Sequence, residues 1–363
     1  MRFTTFAMVL AHLSTCIAHY TLKDDLSYKN FFHRFGLYSD HDPTNGFVAY
    51  QPLDSAVQNQ YVGYLNTSVY LGVDYENITM SGGRPSIRVE SKTSYNYGLL
   101  IADLAHMPSS TCGVWPAFWM LGDGEWPRNG EIDILEGVND MDRNSVTLHT
   151  TAGCVVDNSS SGAMSIVEAG AKFSGTLITR DCDVQAKDQD RNQGCSIQAP
   201  LRSGAHIFPS YGSNFNKAGG GAYAMQWTQT SISVWFFPRG SPLLPAPPSP
   251  PSPIEDFHPD PSTWGTPLAH FSGSGCDFAA RFRNLRIIFD TTFCGEWAGR
   301  QEVWDQSCAA KTGVWTCEEY VRDNPSVFAD AFWKIDGLWW FEEEGEEGRR
   351  GPNPKVKGRE YRW

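Results

Sequence analysis

Residues 122–137 of the chain read GDGEWPRNGEIDILEG, and three carboxylates fall within Glu131–Glu136. The Asn-Gly pair before this segment, its two isoleucines and the glycine after it are typical of a β-strand. Side chains alternate on a strand, so Glu131 and Asp133 lie on one face. One β-bulge at Ile134-Leu135 would bring Glu136 to that face as well, because the extra residue shifts the alternation. The stretch therefore predicts a strand that presents three carboxylates to one surface.

Two other structures fit the same spacing. An exposed helical turn would place Ile132, Leu135 and Val138 in one apolar stripe and leave the carboxylates in solvent. A metal site is the second alternative, since carboxylates are common metal ligands. Tryptophans near the carboxylates favour a sugar site over both, because aromatic rings offer flat apolar surfaces for recognition. These candidate sugar platforms are Trp115, Trp119 and Trp126.

Carboxylates crowded in this way suit glycoside hydrolysis. Like charges on one face raise the pKa of at least one group. Retaining hydrolysis needs one ionised carboxylate as nucleophile and one protonated carboxyl group as acid, roles that suit Glu131 and Glu136. Asp133 lies between them and can hold the proton state of a neighbouring Glu as charge moves. We expect a bell-shaped pH profile with its optimum on the acid side.

The rest of the chain is rich in strand signals. Short β-branched or aromatic runs alternate with Gly-, Asn- and Ser-rich turns, and long helical periodicity is missing. Thr316 and Glu319 have capping-box spacing and predict one short helix at Thr316–Arg322. This pattern predicts an all-β, antiparallel β-sandwich. The clearest predicted strands are Ser86–Glu90, Ser145–Thr150, Gly221–Trp227, Ser231–Phe237 and Leu285–Phe289.

Two segments do not fit into strands. Pro238–Pro253 holds eight prolines, which cannot belong to a sheet interior because proline lacks the N–H donor. We interpret this segment as a stiff surface loop within one domain, with an interdomain linker as the alternative. Residues 342–363 alternate acidic and basic clusters with Gly and Pro, and we interpret them as a disordered charged tail.

The N-terminus predicts export. Residues 1–18 have the layout of a signal peptide, with a mainly apolar run and a small residue at the cleavage point. Removal of this segment takes Cys16 and leaves eight cysteines, an even number that suits disulfides in an oxidising compartment. Zinc is the alternative, but no cysteine pair has the spacing of a zinc site. Three sequons support a secreted glycoprotein weakly: Asn66, Asn77 and Asn158.

Charge and hydropathy exclude other partners. Forty-one acidic residues against 29 basic ones give a formal charge of −12, so no basic field attracts nucleic acid. No internal apolar run approaches the ~20 residues that cross a bilayer, and the C-terminus has no lipid-anchor signal. We therefore expect a secreted protein, extracellular or in the cell wall, without a membrane anchor, and a monomer by default.

Several motifs together resemble fungal members of glycoside hydrolase family 16, the laminarinase-type endo-β-1,3(4)-glucanases. The resemblance runs in order from about residue 20 to 340, and the Glu-x-Asp-x-x-Glu core with its tryptophans is specific. The motifs are Trp115-Pro-Ala-Phe-Trp119, Asn129-Gly-Glu-Ile-Asp-Ile-Leu-Glu136, Thr147-Leu-His-Thr150, Asn192-Gln-Gly-Cys195 and Phe289-Asp-Thr-Thr-Phe-Cys294.

The resemblance implies a concanavalin A-like jelly roll over residues 19–341, with a concave cleft for β-glucan. It assigns Glu131 as nucleophile, Asp133 as its assistant and Glu136 as acid/base. It also implies hydrolysis of β-1,3- or mixed β-1,3/1,4-glucan by double displacement. Further substrate-binding candidates are His149, Gln226, which stands where members often carry Glu, and Trp227.

The sequence leaves alternatives for the bound ion, the acceptor and catalysis itself. No cofactor is expected; some relatives bind a structural calcium ion, but the sequence shows no oxygen-rich loop for one. A transglycosylase of the same family would use the same residues and differ only in its acceptor. A glucan-binding sandwich without catalysis is the third alternative.

Overall fold

The computed structural model describes residues 19–157, 172–243, 245 and 254–344. The predicted signal peptide, the sequon at Asn158, most of the proline-rich segment and most of the charged tail lie outside these ranges. No helix within the described ranges is both long and apolar enough to span a membrane.

Twenty strands form the framework of these ranges. They are β1 (Tyr20–Asp25), β2 (Phe35–Leu37), β3 (Val48–Tyr50), β4 (Val62–Leu65), β5 (Ser68–Leu71), β6 (Arg84–Ser86), β7 (Arg88–Ser91), β8 (Gly98–His106), β9 (Val114–Gly122), β10 (Glu131–Glu136), β11 (Ser145–His149), β12 (Thr176–Leu177), β13 (Cys195–Gln198), β14 (Arg202–Ser203), β15 (His206–Ile207), β16 (Gly221–Trp227), β17 (Ser231–Pro238), β18 (Ala269–Ser272), β19 (Leu285–Phe293) and β20 (Trp333–Glu343).

Eight short α-helices decorate the strands within the same ranges. They are α1 (Tyr28–Arg34), α2 (Leu53–Gln58), α3 (Gly212–Lys217), α4 (Phe278–Arg281), α5 (Gly295–Ala298), α6 (Gln301–Trp304), α7 (Cys308–Thr312) and α8 (Cys317–Asp323). Three 3₁₀ turns accompany them at Ile254–Asp256, Pro261–Thr263 and Pro325–Phe328.

Two large antiparallel sheets stack face to face. The back sheet has the order β18-β17-β16-β8-β20-β5-β4, with β1 paired to β20. The groove sheet has the order β12-β13-β11-β10-β9-β19-β7-β2. Neighbours in each order are antiparallel, and a small parallel pair of β3 and β6 lies outside both sheets. The predicted all-β antiparallel sandwich is confirmed.

The main core fills the space between the sheets. Alternate residues of β9 and β10, such as Phe118 and Ile132, face Met225 and Trp227 of β16 across it, and all four are buried. A second apolar cluster covers the outer face of the back sheet, where Trp264 packs on Trp235. The back sheet is therefore packed against apolar clusters on both faces, whereas the concave face of the groove sheet carries polar side chains.

Most predicted elements match the structure with shifted ends. The predicted helix is α8, in which the Thr316 side chain accepts a hydrogen bond from the backbone N–H of Glu319. Predicted strand Ser86–Glu90 is two strands, β6 and β7, while β19 extends four residues beyond Phe289. The predicted start of the tail at residue 342 is wrong, because Glu342 and Glu343 complete β20 and pair with β1.

Four disulfides join the eight cysteines: Cys112–Cys308, Cys154–Cys276, Cys182–Cys195 and Cys294–Cys317.

Candidate active site

A groove of about 1000 Å³ crosses the concave face of the groove sheet. Strands β7, β9, β10, β11, β13 and β19 form its floor, and loops at both ends of these strands form its walls. All three predicted carboxylates line it. Of the six predicted substrate-binding residues, four line the groove and two do not. The four are Trp115, Trp119, Trp126 and His149.

The β-bulge that the sequence predicts is present in β10. Against β9, Asp133 pairs with Trp119 and Leu135 pairs with the adjacent Phe118. Ile134 is therefore the extra residue. Ile132 and Ile134 are fully buried in the core, while Glu131, Asp133 and Glu136 face the groove. The helical alternative is therefore wrong, and the bulge is the reason that three unevenly spaced carboxylates share one face.

Glu131 lies at the start of β10, opposite His149 of β11. The indole Nε1–H of Trp126 donates a 2.8 Å hydrogen bond to Glu131 Oε2. Burial and the nearby Asp133 raise the pKa of Glu131 to about 7. A carboxyl group with this pKa can change its charge near neutral pH.

Asp133 is the most enclosed of the three carboxylates, with 2% of its surface exposed. Burial, followed by the charge of Asp290, raises its pKa well above the usual range. Its Oδ2 lies 3.2 Å from His149 Nε2, although this contact lacks hydrogen-bond geometry. His149 Nε2 also lies 3.9 Å from Glu131 Oε1, so the imidazole touches two of the carboxylates.

Glu136 follows the bulge, and hydrogen bonds hold both its side chain and its backbone. The indole Nε1–H of Trp115 donates a 2.9 Å hydrogen bond to Glu136 Oε1. The backbone N–H of Glu136 donates to Asn144 Oδ1 at 2.8 Å. Burial and the charge of Asp133 raise the pKa of Glu136 well above its usual range. Glu136 therefore holds its proton to a higher pH than an exposed glutamate does.

A fourth carboxylate, Asp290 of β19, was not predicted as a site residue. Its Oδ1 accepts a 2.7 Å hydrogen bond from Trp119 Nε1, and its Oδ2 accepts one from the Tyr50 hydroxyl at 3.0 Å. Burial raises its pKa to about 6. The signal was present in the sequence, because Asp290 lies within the motif Phe289–Cys294 and alternates with core residues.

Two further groove residues gave no usable sequence signal. The guanidinium of Arg88 lies 5.0 Å from the Trp119 ring and donates to Glu90. Trp297 of α5 meets Trp115 edge to face, with ring centroids 5.6 Å apart. Trp297 belongs to a four-residue helix, which is too short to show periodicity.

Two predicted substrate-binding residues lie elsewhere. Trp227 is a core residue between the sheets, with 1% of its surface exposed. Gln226, its neighbour on β16, faces the outer side of the back sheet and donates from Nε2 to the Tyr20 hydroxyl at 3.0 Å. Both assignments are corrected, because β16 lies in the sheet opposite the groove and local sequence does not reveal which sheet a strand joins.

One cluster within the described ranges has the composition of a metal site. Ligand atoms of Glu131, Asp133 and His149 lie within 4.8 Å of one another. The same three groups form the centre of the candidate active site. The expectation that no cofactor is required stays a prediction.

Comparisons with known proteins agree with this geometry. A family model described as "XgeA-like, catalytic GH16 domain" matches residues 35–341. The chain is 42% identical over 336 residues to an endo-1,3(4)-beta-glucanase of Arthroderma benhamiae, an alignment that covers 93% of this chain and 68% of that protein. It is 37% identical over 338 residues to endo-1,3(4)-beta-glucanase xgeA of Emericella nidulans, covering 92% of this chain and 49% of the relative. The chain thus spans about two thirds of the first relative and half of the second.

Solved structures show the same likeness. Laminarinase 16A from Phanerochaete chrysosporium, a GH16 enzyme with two β-glucans in donor and acceptor sites, has a TM-score of 0.77 and 34% identity, covering 90% of this chain and all of that one (100%). A GH family 16 β-1,3-glucosyltransferase described as elongating has a TM-score of 0.74 and 40% identity, covering 89% of this chain and 100% of its own.

Proposed function

Since this chain belongs to the XgeA-like catalytic domains of glycoside hydrolase family 16, we propose that it is a retaining endo-β-glucanase that cleaves β-1,3- and mixed β-1,3/1,4-glucans. One observation carries the proposal: a bulged strand holds Glu131 and Glu136 on the groove floor, each hydrogen-bonded by its own tryptophan. Retaining hydrolysis needs such a pair, one carboxylate to attack and one carboxyl group to protonate the leaving oxygen.

The first step forms a glycosyl-enzyme. Ionised Glu131 attacks the anomeric carbon while Glu136 gives its proton to the departing glycosidic oxygen, so the carbon–oxygen bond breaks without releasing an alkoxide. The raised pKa of Glu136 suits the acid, which must hold a proton, and Glu131, with a pKa of about 7, can ionise near neutral pH.

The second step releases the sugar. Glu136, now ionised, takes a proton from water as the water oxygen attacks the anomeric carbon, and the bond to Glu131 breaks. Two inversions at one carbon retain its configuration. Asp133, 3.2 Å from His149 and directly between the two glutamates in the chain, stabilises the charge that moves between them.

Binding of glucan rests on the aromatic residues. Trp126 has 42% of its surface exposed beside Glu131, and Trp115 and Trp119 line the floor. Their rings can stack on the C–H faces of sugar rings while their N–H groups hold carboxylates. The names of the curated relatives support β-1,3(4)-glucan as the substrate class.

The same reasoning supports export. Four disulfides are consistent with an oxidising compartment, and residues 1–18 have the layout of a signal peptide. We place the enzyme outside the cell or in the cell wall, as a monomer that needs no cofactor.

Activity on defined glucans tests the proposal. The mature protein is offered laminarin, mixed-linkage glucan, cellulose and xyloglucan in parallel, and the products are sized. We expect short oligosaccharides from the first two only. Glu131→Ala should abolish cleavage, while Glu318→Ala, an exposed change on α8, should leave it intact. Undiminished hydrolysis by Glu131→Ala would show that the nucleophile is wrongly assigned.

Transglycosylation is the second candidate, and the 40% identity to the glucosyltransferase favours it. A sugar acceptor would replace water in the second step, with the same residues in the same roles. Products longer than the starting laminari-oligosaccharide would identify this activity. Tight glucan binding without any product at any pH would instead indicate the non-catalytic sandwich.

A further inference from the structure

The bulge in β10 creates a structural problem that one buried side chain solves. A bulge interrupts the hydrogen-bond ladder and leaves backbone groups without a strand partner. The carboxamide of Asn144 bridges the site of interruption: its Nδ2 donates to the Ile134 carbonyl at 2.8 Å, and its Oδ1 accepts from the Glu136 N–H at 2.8 Å. The two backbone groups flank Leu135, so the amide spans the irregular part of the strand.

Asn144 is itself held rigidly. Its side chain is fully buried, with 0% exposure. Its backbone N–H donates to Ser210 Oγ at 3.2 Å, and its carbonyl accepts from the Ala199 N–H at 2.8 Å. An asparagine carboxamide offers a donor and an acceptor side by side, whereas an ionised aspartate of the same length offers acceptors alone. The site uses both functions of the carboxamide.

We propose that Asn144 is a positioning residue for Glu136: by fixing the bulge, it sets the direction of the acid/base side chain. The inference rests on the proposed function, which assigns Glu136 that role. On a regular strand, Glu136 would face away from Glu131, because their separation of five residues is odd. Loss of the amide leaves two buried backbone groups unpaired and removes the constraint that keeps the extra residue in place.

The effect should be selective for Glu136. Glu131 precedes the bulge and sits in regular register, opposite Leu121 on β9 and His149 on β11. The Asn144 carboxamide bonds to the backbone of Ile134 and Glu136, at the bulge and after it. A change at Asn144 should therefore impair proton donation to the leaving group more than nucleophilic attack.

Two substrates separate these steps. A laminari-oligosaccharide has a sugar leaving group that needs the acid, whereas 2,4-dinitrophenyl laminaribioside has a leaving group that departs without a proton. In Asn144→Ala, we expect kcat/KM for the oligosaccharide to fall about 10- to 100-fold more than kcat/KM for the aryl substrate. This is a partial loss of the roughly 100- to 10,000-fold that general acid catalysis contributes. Asn144→Asp, which keeps an acceptor for the Glu136 N–H, carries the same test if Asn144→Ala does not fold.

Asn216 provides a matched control. Its carboxamide also bridges two backbone groups, accepting from the Met107 N–H at 3.0 Å and donating to the Met107 carbonyl at 2.8 Å, but it lies away from the groove. Asn216→Ala should leave the ratio between the two substrates within about twofold of the parent value. Equal losses on both substrates in Asn144→Ala, or a matching ratio change in Asn216→Ala, would overturn the proposal.

Glu136→Ala separates this inference from the proposed function. That variant should show the selective loss in full, because it lacks the acid. A selective loss in Glu136→Ala with an unselective loss in Asn144→Ala would overturn the positioning role alone. No selectivity in Glu136→Ala would overturn the acid assignment and the positioning role together.

Discussion

At the scale of single residues, burial raises the pKa of all three carboxyl groups of β10. The charge of Asp133 adds to this shift at both glutamates, and the pKa of Glu131 reaches about 7. Two tryptophan N–H groups oppose these shifts, one on each glutamate. A retaining mechanism requires one ionised and one protonated glutamate, and the upward shifts allow a glutamate of the groove to keep its proton near neutral pH.

The pKa shifts of the two glutamates predict the shape of the pH profile. Activity needs Glu131 ionised, so kcat/KM should rise with pH to a midpoint near 7, and it should fall at higher pH as Glu136 loses its proton. The midpoint of the acidic limb is therefore expected near neutral pH, higher than an acid-side optimum would place it. Initial rates on laminarin between pH 4 and 10 check it. Full activity maintained down to pH 5 would contradict the assignment.

The two tryptophan N–H groups should control opposite limbs of that profile. The Trp115 hydrogen bond lowers the pKa of Glu136, so Trp115→Phe should move the alkaline limb to higher pH. The Trp126 hydrogen bond lowers the pKa of Glu131, so Trp126→Phe should move the acidic limb to higher pH. Each variant serves as the other's control. A shift of the same limb in both variants would show that the two indoles do not act on separate glutamates.

Residue-level prediction from sequence succeeded where the pattern was local. Glu131, Asp133 and Glu136 follow from strand alternation plus one bulge, and both appear in the structure. The sequence wrongly placed Gln226 and Trp227 in the groove. Their segment resembles the family pattern, but their strand, β16, belongs to the back sheet. Strand alternation places Asp290 on the groove face, but its contacts with Trp119 and Tyr50 could not be predicted, because those residues are distant in sequence.

At the scale of elements, the loop between β12 and β13 forms one wall of the groove. The Cys182–Cys195 disulfide closes this loop with a sequence separation of 13, and Asp190, Asn192 and Gln193 between them line the groove. Gly194 packs against His149 so closely that an added Cβ would lie 2.8 Å from Nδ1. The disulfide therefore constrains a binding surface as well as the unfolded chain.

Removal of this disulfide should affect both stability and binding. The double variant Cys182→Ser/Cys195→Ser should lose about 3 kcal/mol of unfolding free energy, typical for a loop of this length, and its KM for laminarin should rise several-fold. Denaturant titration and initial rates measure the two effects. Cys154→Ser/Cys276→Ser, whose cysteines do not line the groove, should lose stability with little change in KM. An unchanged KM in the first variant would show that the loop does not need its disulfide to bind glucan.

Elements were predictable from sequence in proportion to their length and regularity. Strand β16 was predicted with its observed ends, and α8 followed from its capping residue. The other seven described helices have four to seven residues, too few for a helical period to show against the strand background. Their positions depend on packing and disulfides, as at the end of the molecule where Cys294 joins Cys317.

At the scale of the whole molecule, the buried carboxyl groups of the groove lower the free energy of unfolding as they ionise at high pH. Glu131 has a folded pKa of about 7 against an ordinary value of 4.5, so the folded state binds its proton more tightly than the unfolded state does. The associated stability is fully present below pH 4.5 and is lost as pH rises through 7. Burial of Asp290, with a pKa of about 6, acts in the same direction.

Glu131→Gln should therefore stabilise the protein at high pH. The neutral amide removes the cost of ionising a buried carboxyl group, which is on the order of 3 kcal/mol for a shift of this size. We expect the variant to unfold at a higher temperature than the parent at pH 8 and at nearly the same temperature at pH 4.5. Thermal unfolding at both values measures this. The exposed change Glu318→Gln should have no pH-dependent effect, and an equal gain at both pH values for Glu131→Gln would contradict the origin in ionisation.

The whole architecture was only partly predictable from sequence. Strand-rich composition and the absence of long helical periods predicted an antiparallel sandwich, and the structure confirms it. The strand order was not predictable, because pairs such as β8 with β20 join residues more than 200 positions apart. The aromatic cluster on the outer face of the back sheet was also missed, since it forms when Phe257 and Trp264 fold back onto that sheet.

Configuration at the anomeric carbon tests the central claim most directly. Laminarin is cleaved in an NMR tube by the mature protein, and the first reducing ends are observed before they equilibrate in water. The account predicts that the β-anomer appears first, because Glu131 and then water each invert the same carbon. If the α-anomer appeared first, a single displacement would have occurred, and the roles of Glu131 and Glu136 would have to be abandoned.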